Sequence, residues 1–246
     1  MQTVHISIRA EQIFEFLGIP ITNSTLTTWL VMLLLIVFSF IVYRNISFVP
    51  SGLQVVAEML VGGIYTFFET VTREKTKIFF PILGTLFIFI IMLNWFGLLP
   101  GVGTIGLNEI EGGQKVFVPL FRAGSADINT TLALALIAVF LIQYYGIKTL
   151  GLEYLGRFFN FKNPIYFFVG LLELVLEFAK ILSFSFRLFG NIFAGEVLLT
   201  VIAFLMPIFA PIPFLGLELF VGFIQALVFS MLTAVFLSLA TAKMEH

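Results

Sequence analysis

Apolar residues come in five long stretches: Leu26 to Tyr43, Ile78 to Leu99, Ile128 to Ile147, Ile165 to about Met206, and Ile212 to about Ala242. A helix needs ~20 apolar residues to cross the hydrocarbon of a bilayer, so each stretch predicts a crossing. The last two are too long to stand perpendicular. About forty helical residues reach ~60 Å against a hydrocarbon thickness of ~30 Å, which requires strong tilt or a kink. Met206-Pro207 and Pro211-Ile212-Pro213 separate them. Proline breaks helices, so the two long helices should form an antiparallel hairpin.

Residues 50–77 follow a different pattern. Leu53, Val56, Ala57, Leu60, Ile64, Phe67, Phe68 and Val71 recur at helical spacing, while Glu58, Glu69, Arg73 and Lys75 interrupt a crossing. This predicts an amphipathic helix at the interface or packed on its neighbours. The fold class is therefore an all-α integral membrane protein in a single membrane domain. Its expected order is an outer segment over 1–25, a span over 26–44, the amphipathic helix over 50–77 and a span over 78–99. An outer loop over 100–126, a span over 127–147 and a cytoplasmic loop over 148–164 follow. The long helices occupy 165–206 and 212–242. Tyr144, Tyr145 and Trp95 near span edges fit the headgroup level.

Composition strengthens this picture. The 246 residues are 60% hydrophobic and 11% charged, with a mean hydropathy of +1.09. Soluble domains carry about a quarter charged residues, so lipid must be the main solvent. With no cysteine, disulfides, thiolate nucleophiles and cysteine metal sites are excluded. A net charge of −1 gives no reason to expect nucleic acid. The first 25 residues contain Glu11 and Glu15 and lack a basic start before an apolar run, which predicts no cleavable leader.

Orientation follows from basic residues. With the amino terminus outside, the cytoplasmic segments hold Arg44, Arg73, Lys75, Lys77, Lys148, Arg157, Lys162 and Lys243. The outer ones hold Arg9, Lys115 and Arg122. The excess of positive charge on one side predicts the amino terminus outside and the carboxyl terminus in the cytoplasm.

Some local signals carry no chemistry. Gly101-Val102-Gly103-Thr104-Ile105-Gly106 matches GxGxxG, but a dinucleotide site needs a strand before it and a helix after it, and an apolar span precedes it. Asn23-Ser24-Thr25, Asn45-Ile46-Ser47 and Asn129-Thr130-Thr131 form glycosylation triplets, which are common by chance. His5 and His246 stand near opposite ends without ligand-spaced partners. No cofactor or metal is expected.

The long hairpin, by contrast, contains Glu173, Glu177, Lys180, Arg187, Asn191, Glu196, Glu218 and Gln225. A central arginine or aspartate costs ~2.5–3.5 kcal/mol even on lenient insertion scales. Such groups either hold a buried ion-pair network or serve conduction. Arg187 is midway along its stretch and cannot easily reach either surface. Glu173, Glu177 and Lys180 share a face nearer the cytoplasmic start. Facing residues in an antiparallel hairpin keep a constant sum of residue numbers. Arg187 and Gln225 give 412 and Glu196 and Glu218 give 414, so one register sets the amide beside the arginine and the two acids together nearer the outside. Two carboxylates sharing a site resist ionising together, which suits proton exchange; facing a water-filled cavity is the plainer alternative. Arginine keeps its charge, so Arg187 would block direct passage between two half-paths and attract a partner's carboxylate.

The segment Ser185-Phe186-Arg187-Leu188-Phe189-Gly190-Asn191-Ile192-Phe193-Ala194-Gly195-Glu196 closely resembles the signature of the subunit a family of F-type ATP synthases. Ile224-Gln225-Ala226-Leu227-Val228-Phe229 resembles that family's last helix. Asn94 to Pro100 and Ser125 to Thr131 resemble its earlier spans. The resemblance implies a proton-translocating stator subunit, without catalysis of its own, that offers two offset half-channels to a ring of c subunits. It implies that Arg187 faces the ring carboxylate, and that Asn191, Glu196, Glu218 and Gln225 line the outer half-channel with Asp127 and Asn129. It sets Glu173 near the cytoplasmic exit. Some family members carry a histidine where this chain has Glu218. Implied partners are the c-ring, the peripheral-stalk b subunits and the remaining synthase subunits; the expected location is a bacterial plasma membrane rather than an organelle membrane. The rival reading is a self-contained secondary ion transporter, which predicts an internal repeat; none is visible.

Overall fold

The computed structural model describes residues 8–16, 18–111, 114–156, 158, 164–206 and 209–242. His5, His246, Pro207, Arg157, Lys162 and Lys243 lie outside the described residues. A short hairpin opens the chain, with β1 (Gln12–Phe16) antiparallel to β2 (Ile19–Thr22). Next come α1 (Asn23–Arg44), α2 (Leu53–Thr72), a 3-10 turn over Arg73–Lys75 and α3 (Thr76–Phe96). A second hairpin pairs β3 (Gly106–Glu111) with β4 (Gln114–Pro119). After another 3-10 turn at Gly124–Ala126 the chain continues as α4 (Ile128–Leu150), α5 (Leu152–Gly156), α6 (Pro164–Leu205) and α7 (Pro211–Ala240). Among the described residues five helical segments are long and apolar enough to cross a membrane, with α2 and α3 counted as one stretch from Leu53 to Phe96. The protein is an all-α integral membrane protein to which, among the described residues, two small β-hairpins are added.

The helix starts are set by side chains. Thr22 caps α1 by accepting from the Thr25 N–H at 3.3 Å, so the helix begins three residues before the apolar run. Asp127 caps α4 by accepting from the Asn129 N–H at 2.9 Å. Such caps satisfy amides that a helix start leaves without partners. Pro211 stands in the first turn of α7, where its missing N–H costs nothing. Gly151 ends α4 with φ +62°, a conformation glycine adopts without penalty. Lys75 Nζ donates to the Thr241 carbonyl at 2.7 Å, which ties the α2–α3 junction to the end of α7.

The core has two layers. The first unites Val31, Leu86, Ile90, Leu93, Ala126, Ala135, Leu188 and Phe229 from α1, α3, α4, α6, α7 and the turn before α4. The second unites Phe68, Phe79, Leu83, Ile142, Tyr154 and Leu237, and packs α2 and α5 against α3, α4 and α7. Helices α3 and α7 approach closely at Gly222, whose added Cβ would come within 3.1 Å of Asn94 Cβ. There Asn94 Nδ2 donates to the Gly222 carbonyl at 2.8 Å and Trp95 Nε1 to the Leu219 carbonyl at 3.0 Å. Small residues at helix interfaces permit such approach, and side-chain bonds across helices add to it in lipid.

A tighter contact lies at the C-terminal end of α3. A Cβ on Gly97 would fall 2.4 Å from Ala123 Cβ and 2.9 Å from Ala123 Cα. The Ala123 backbone would have to move, so Gly97→Ala should destabilise the chain by ~1–3 kcal/mol, as overpacking does. Thermal melting of the detergent-solubilised protein measures this; an unchanged midpoint would contradict the packing described.

Several extents differ from those the apolar pattern gives. The segments over 1–25 and 100–126 contain the two β-hairpins, and α4 and α5 fill part of 148–164. The GxGxxG segment runs through turns into β3, with no helix following. Asn23 of the first glycosylation triplet is 1% exposed and so cannot carry a sugar in the folded chain.

Candidate functional site

Helix α6 positions most of the polar residues. Phe184, Ser185, Leu188 and Ile192 are buried and form its inward stripe. Ser185 Oγ bonds Thr131 Oγ1 of α4 at 3.1 Å, and Phe184 meets Phe229 of α7 with ring centroids 5.0 Å apart. At 3.6 residues per turn, this leaves Ser183, Arg187 and Asn191 together on the outward face, all exposed. The Arg187 guanidinium donates to Ser183 Oγ at 3.2 Å, and Asn191 Nδ2 donates to the Arg187 carbonyl at 3.0 Å. The other exposed residues toward that side of the helix, Phe186, Gly190, Ala194 and Leu198, are apolar. A cation of fixed charge thus stands on an apolar helix face.

Glu196 points the other way. Nine residues from Arg187 amount to half a turn in excess of two, so it continues the inward stripe of Leu188 and Ile192. There Arg122 meets it: the guanidinium Nε lies 3.0 Å from Glu196 Oε1 and 3.1 Å from Oε2. Arg122 is 8% exposed. Its amide donates to Thr27 Oγ1 at 3.2 Å, its Nη1 donates to the Arg9 carbonyl at 3.3 Å, and its guanidinium carbon stands 5.7 Å above the Phe193 ring. Arg122 drew attention in the sequence only as an outer basic residue. Its partner is 74 positions away, and no local periodicity signals so distant a pairing.

Glu218 of α7 is 6% exposed. Its carboxyl group rests against Gly195, where a Cβ would come within 2.6 Å of Glu218 Oε1. The residue numbers of this pair sum to 413, as do those of Phe184 and Phe229, between the 412 and 414 given by the spacing of the polar residues. Glu218 Oε2 is buried without a hydrogen-bond partner among the described residues. Gln225 is half-buried and makes no hydrogen bond to Arg187, whose bond goes to Ser183 on its own helix. Matching depth in the hairpin does not ensure matching faces, and Arg187 is turned outward.

A methyl group at position 195 would have to displace the Glu218 carboxyl group. Gly195→Ala should therefore slow ion flux several-fold while the protein still assembles, because a flexible side-chain tip can shift where backbone cannot. Flux and assembly measured on the same membranes test this, and wild-type flux would contradict it.

Asp127 is 4% exposed; besides capping α4 it accepts from Ser24 Oγ at 2.6 Å, which ties α1 to α4. Asn129 is exposed. Glu173 is half-buried one turn before Glu177. Glu177 Oε1 accepts from Lys180 Nζ at 2.7 Å, and that ammonium lies 4.4 Å over the Phe236 ring. Glu177 also lines a cavity of about 260 Å³ between α4 and α6 with Gln143, Phe158 and Ile181. Tyr154 donates to Gln143 Oε1 at 2.7 Å, while Gln143 Nε2 and Glu177 Oε2 are buried without partners among the described residues. Gln143 and Tyr154 escaped the sequence pattern because each is a single polar group in an apolar or mixed stretch. Among the described residues no cluster of three His, Cys, Asp or Glu could hold a metal ion.

The model of the family described as ATP synthase A chain matches residues 25–238. The chain is 33% identical over 232 residues to "ATP synthase subunit a" of Moorella thermoacetica, covering 94% of this chain and 96% of the relative. It is 40% identical over 213 residues to "ATP synthase subunit a" of Gloeobacter violaceus, covering 86% and 80%. It is 35% identical over 243 residues to the protein of that name in Desulfosudis oleivorans, covering 96% and 95%.

Proposed function

This chain belongs to the ATP synthase A chain family, and on that premise we propose that it is the stator subunit through which protons reach and leave a rotating ring of c subunits. As a membrane-sector subunit it is not a catalytic enzyme alone. The observation that carries the finer reading is the outward Arg187, exposed with Ser183 and Asn191 on an otherwise apolar face of α6. A charge at mid-depth costs ~2.5–3.5 kcal/mol on insertion scales, so a partner that supplies a carboxylate to that face would offset it. The c-ring acid is that partner.

In this reading a proton arrives from outside through the space around Glu196 and Glu218, with Asp127, Asn129, Asn191 and Gln225 nearby. It passes to a ring carboxylate beside Arg187, travels with the ring, and leaves on the cytoplasmic side past Glu173. Because Glu196 faces inward and Arg187 outward, the outer path turns around α6 rather than descending one face. Arg187 does not relay the proton; its permanent charge separates the two half-paths. Each charge that crosses delivers ~2.3 kcal/mol per 100 mV of potential, which the ring converts to rotation. The b subunits and the rest of the synthase complete the assembly, in a bacterial plasma membrane with the amino terminus outside. Purification from native membranes tests the partner: a small hairpin protein with one intramembrane acid should accompany this chain. Its absence from an intact, monodisperse preparation would overturn the reading.

A further inference from the structure

The two outer acids stand in unlike surroundings. Glu196 has both carboxylate oxygens within 3.1 Å of Arg122 Nε, and Arg122 is itself buried and anchored through its amide, its Nη1 and the Phe193 ring. Glu218 is more deeply buried, lies against the hydrogen of Gly195, and has Oε2 without a hydrogen-bond partner among the described residues. A guanidinium keeps its charge under all ordinary conditions, and a nearby opposite charge favours the charged form of the carboxyl group it holds. A buried carboxyl group without a cation gains from protonation.

The geometry points to Arg122 as a positioning residue that holds Glu196 as a standing carboxylate, so that Glu218 alone takes up and passes on the proton. This rests on the proton-path reading above and divides labour between two acids that the spacing treats as one shared site. The charged group facing the pair is Arg122 from the segment before α4, whose Nη1 also reaches the Arg9 carbonyl of the amino-terminal segment. Asp127 at the start of α4 is turned to Ser24. Glu196 then contributes a fixed negative charge, and Glu218 moves between neutral and charged forms as the proton passes.

The test is passive proton conduction through membranes that carry the assembled membrane sector without its catalytic head, measured across pH. Glu218→Gln should lower conduction about a hundredfold, the scale of a lost proton-transfer group. Arg122→Gln should lower it about tenfold and change the single pH transition into two, because an unpaired buried Glu196 then competes for the proton. Arg122→Lys should keep one transition. The double change Arg122→Gln with Glu196→Gln should restore a single pH transition and conduct several-fold better than Arg122→Gln alone, since coupled residues are non-additive. In that double background Glu218→Gln must still lower conduction by about the same hundredfold.

A double variant no better than Arg122→Gln, or wild-type conduction by Glu218→Gln, overturns the inference. So does an unchanged pH profile in Arg122→Gln. Arg187→Ala, run alongside as the complete synthase, separates the two levels. Coupled pumping that survives Arg187→Ala defeats the stator reading itself. Loss of pumping there without charge-pair rescue defeats only the role given to Arg122.

Discussion

Replacing Arg187 with alanine is expected to abolish ATP-driven proton pumping in inverted vesicles. The guanidinium is exposed on the outer face of α6 and held by Ser183, so its removal leaves the helix packing of Phe184, Ser185, Leu188 and Ile192 untouched. The loss would therefore be one of function rather than assembly. Without the cation nothing separates the two half-paths, and protons could slip across without turning the ring. Passive conduction should survive or rise even as coupled pumping disappears. Arg187→Lys should not restore pumping, because an ammonium lacks the planar fork and loses its proton when desolvated. Wild-type pumping by the alanine variant would remove Arg187 from the mechanism.

The second large effect concerns orientation and is close to all-or-none. With no native cysteine in the chain, a single introduced one labels cleanly. Gly112 and Asn160, natural choices from the sequence, lie outside the described residues. Gly103 and Phe48 serve better. Gly103 lies in the exposed turn after α3, where an added Cβ meets nothing within 4 Å. Phe48, between α1 and α2, is fully exposed. Cysteine at Gly103 should react with an impermeant reagent added outside intact cells. Cysteine at Phe48 should react only when the cytoplasmic side is opened. The reverse pattern would invert the chain and exchange the outer and cytoplasmic half-paths.

Apolar run length is enough to reveal the long helices, because in lipid each backbone bond must close within its own segment and little else can satisfy a twenty-residue stretch. The hairpin register was legible too: polar groups at Arg187, Glu196, Glu218 and Gln225 constrain it, and the contacts at Gly195 and Phe184 agree. Which way each residue faces was less so. Arg187 and Glu196 differ by half a turn, a relation that depth along the chain conceals. The strands β3 and β4 were missed, although Gly112-Gly113 between Ile110 and Val116 is a hairpin signal. Arg122 could not be found by pattern at all. Its pairing with Glu196 is made by the fold, through the segment between β4 and α4 that carries it against α1 and α6.

The central claim is that this chain conducts only together with a ring. Proton influx under an imposed potential can be measured in three sets of vesicles: this chain alone, the co-purified ring protein alone, and both assembled. A stator predicts influx in the third set and none above background in the first two. Sustained influx carried by this chain alone would contradict that claim and identify it instead as a self-contained transporter.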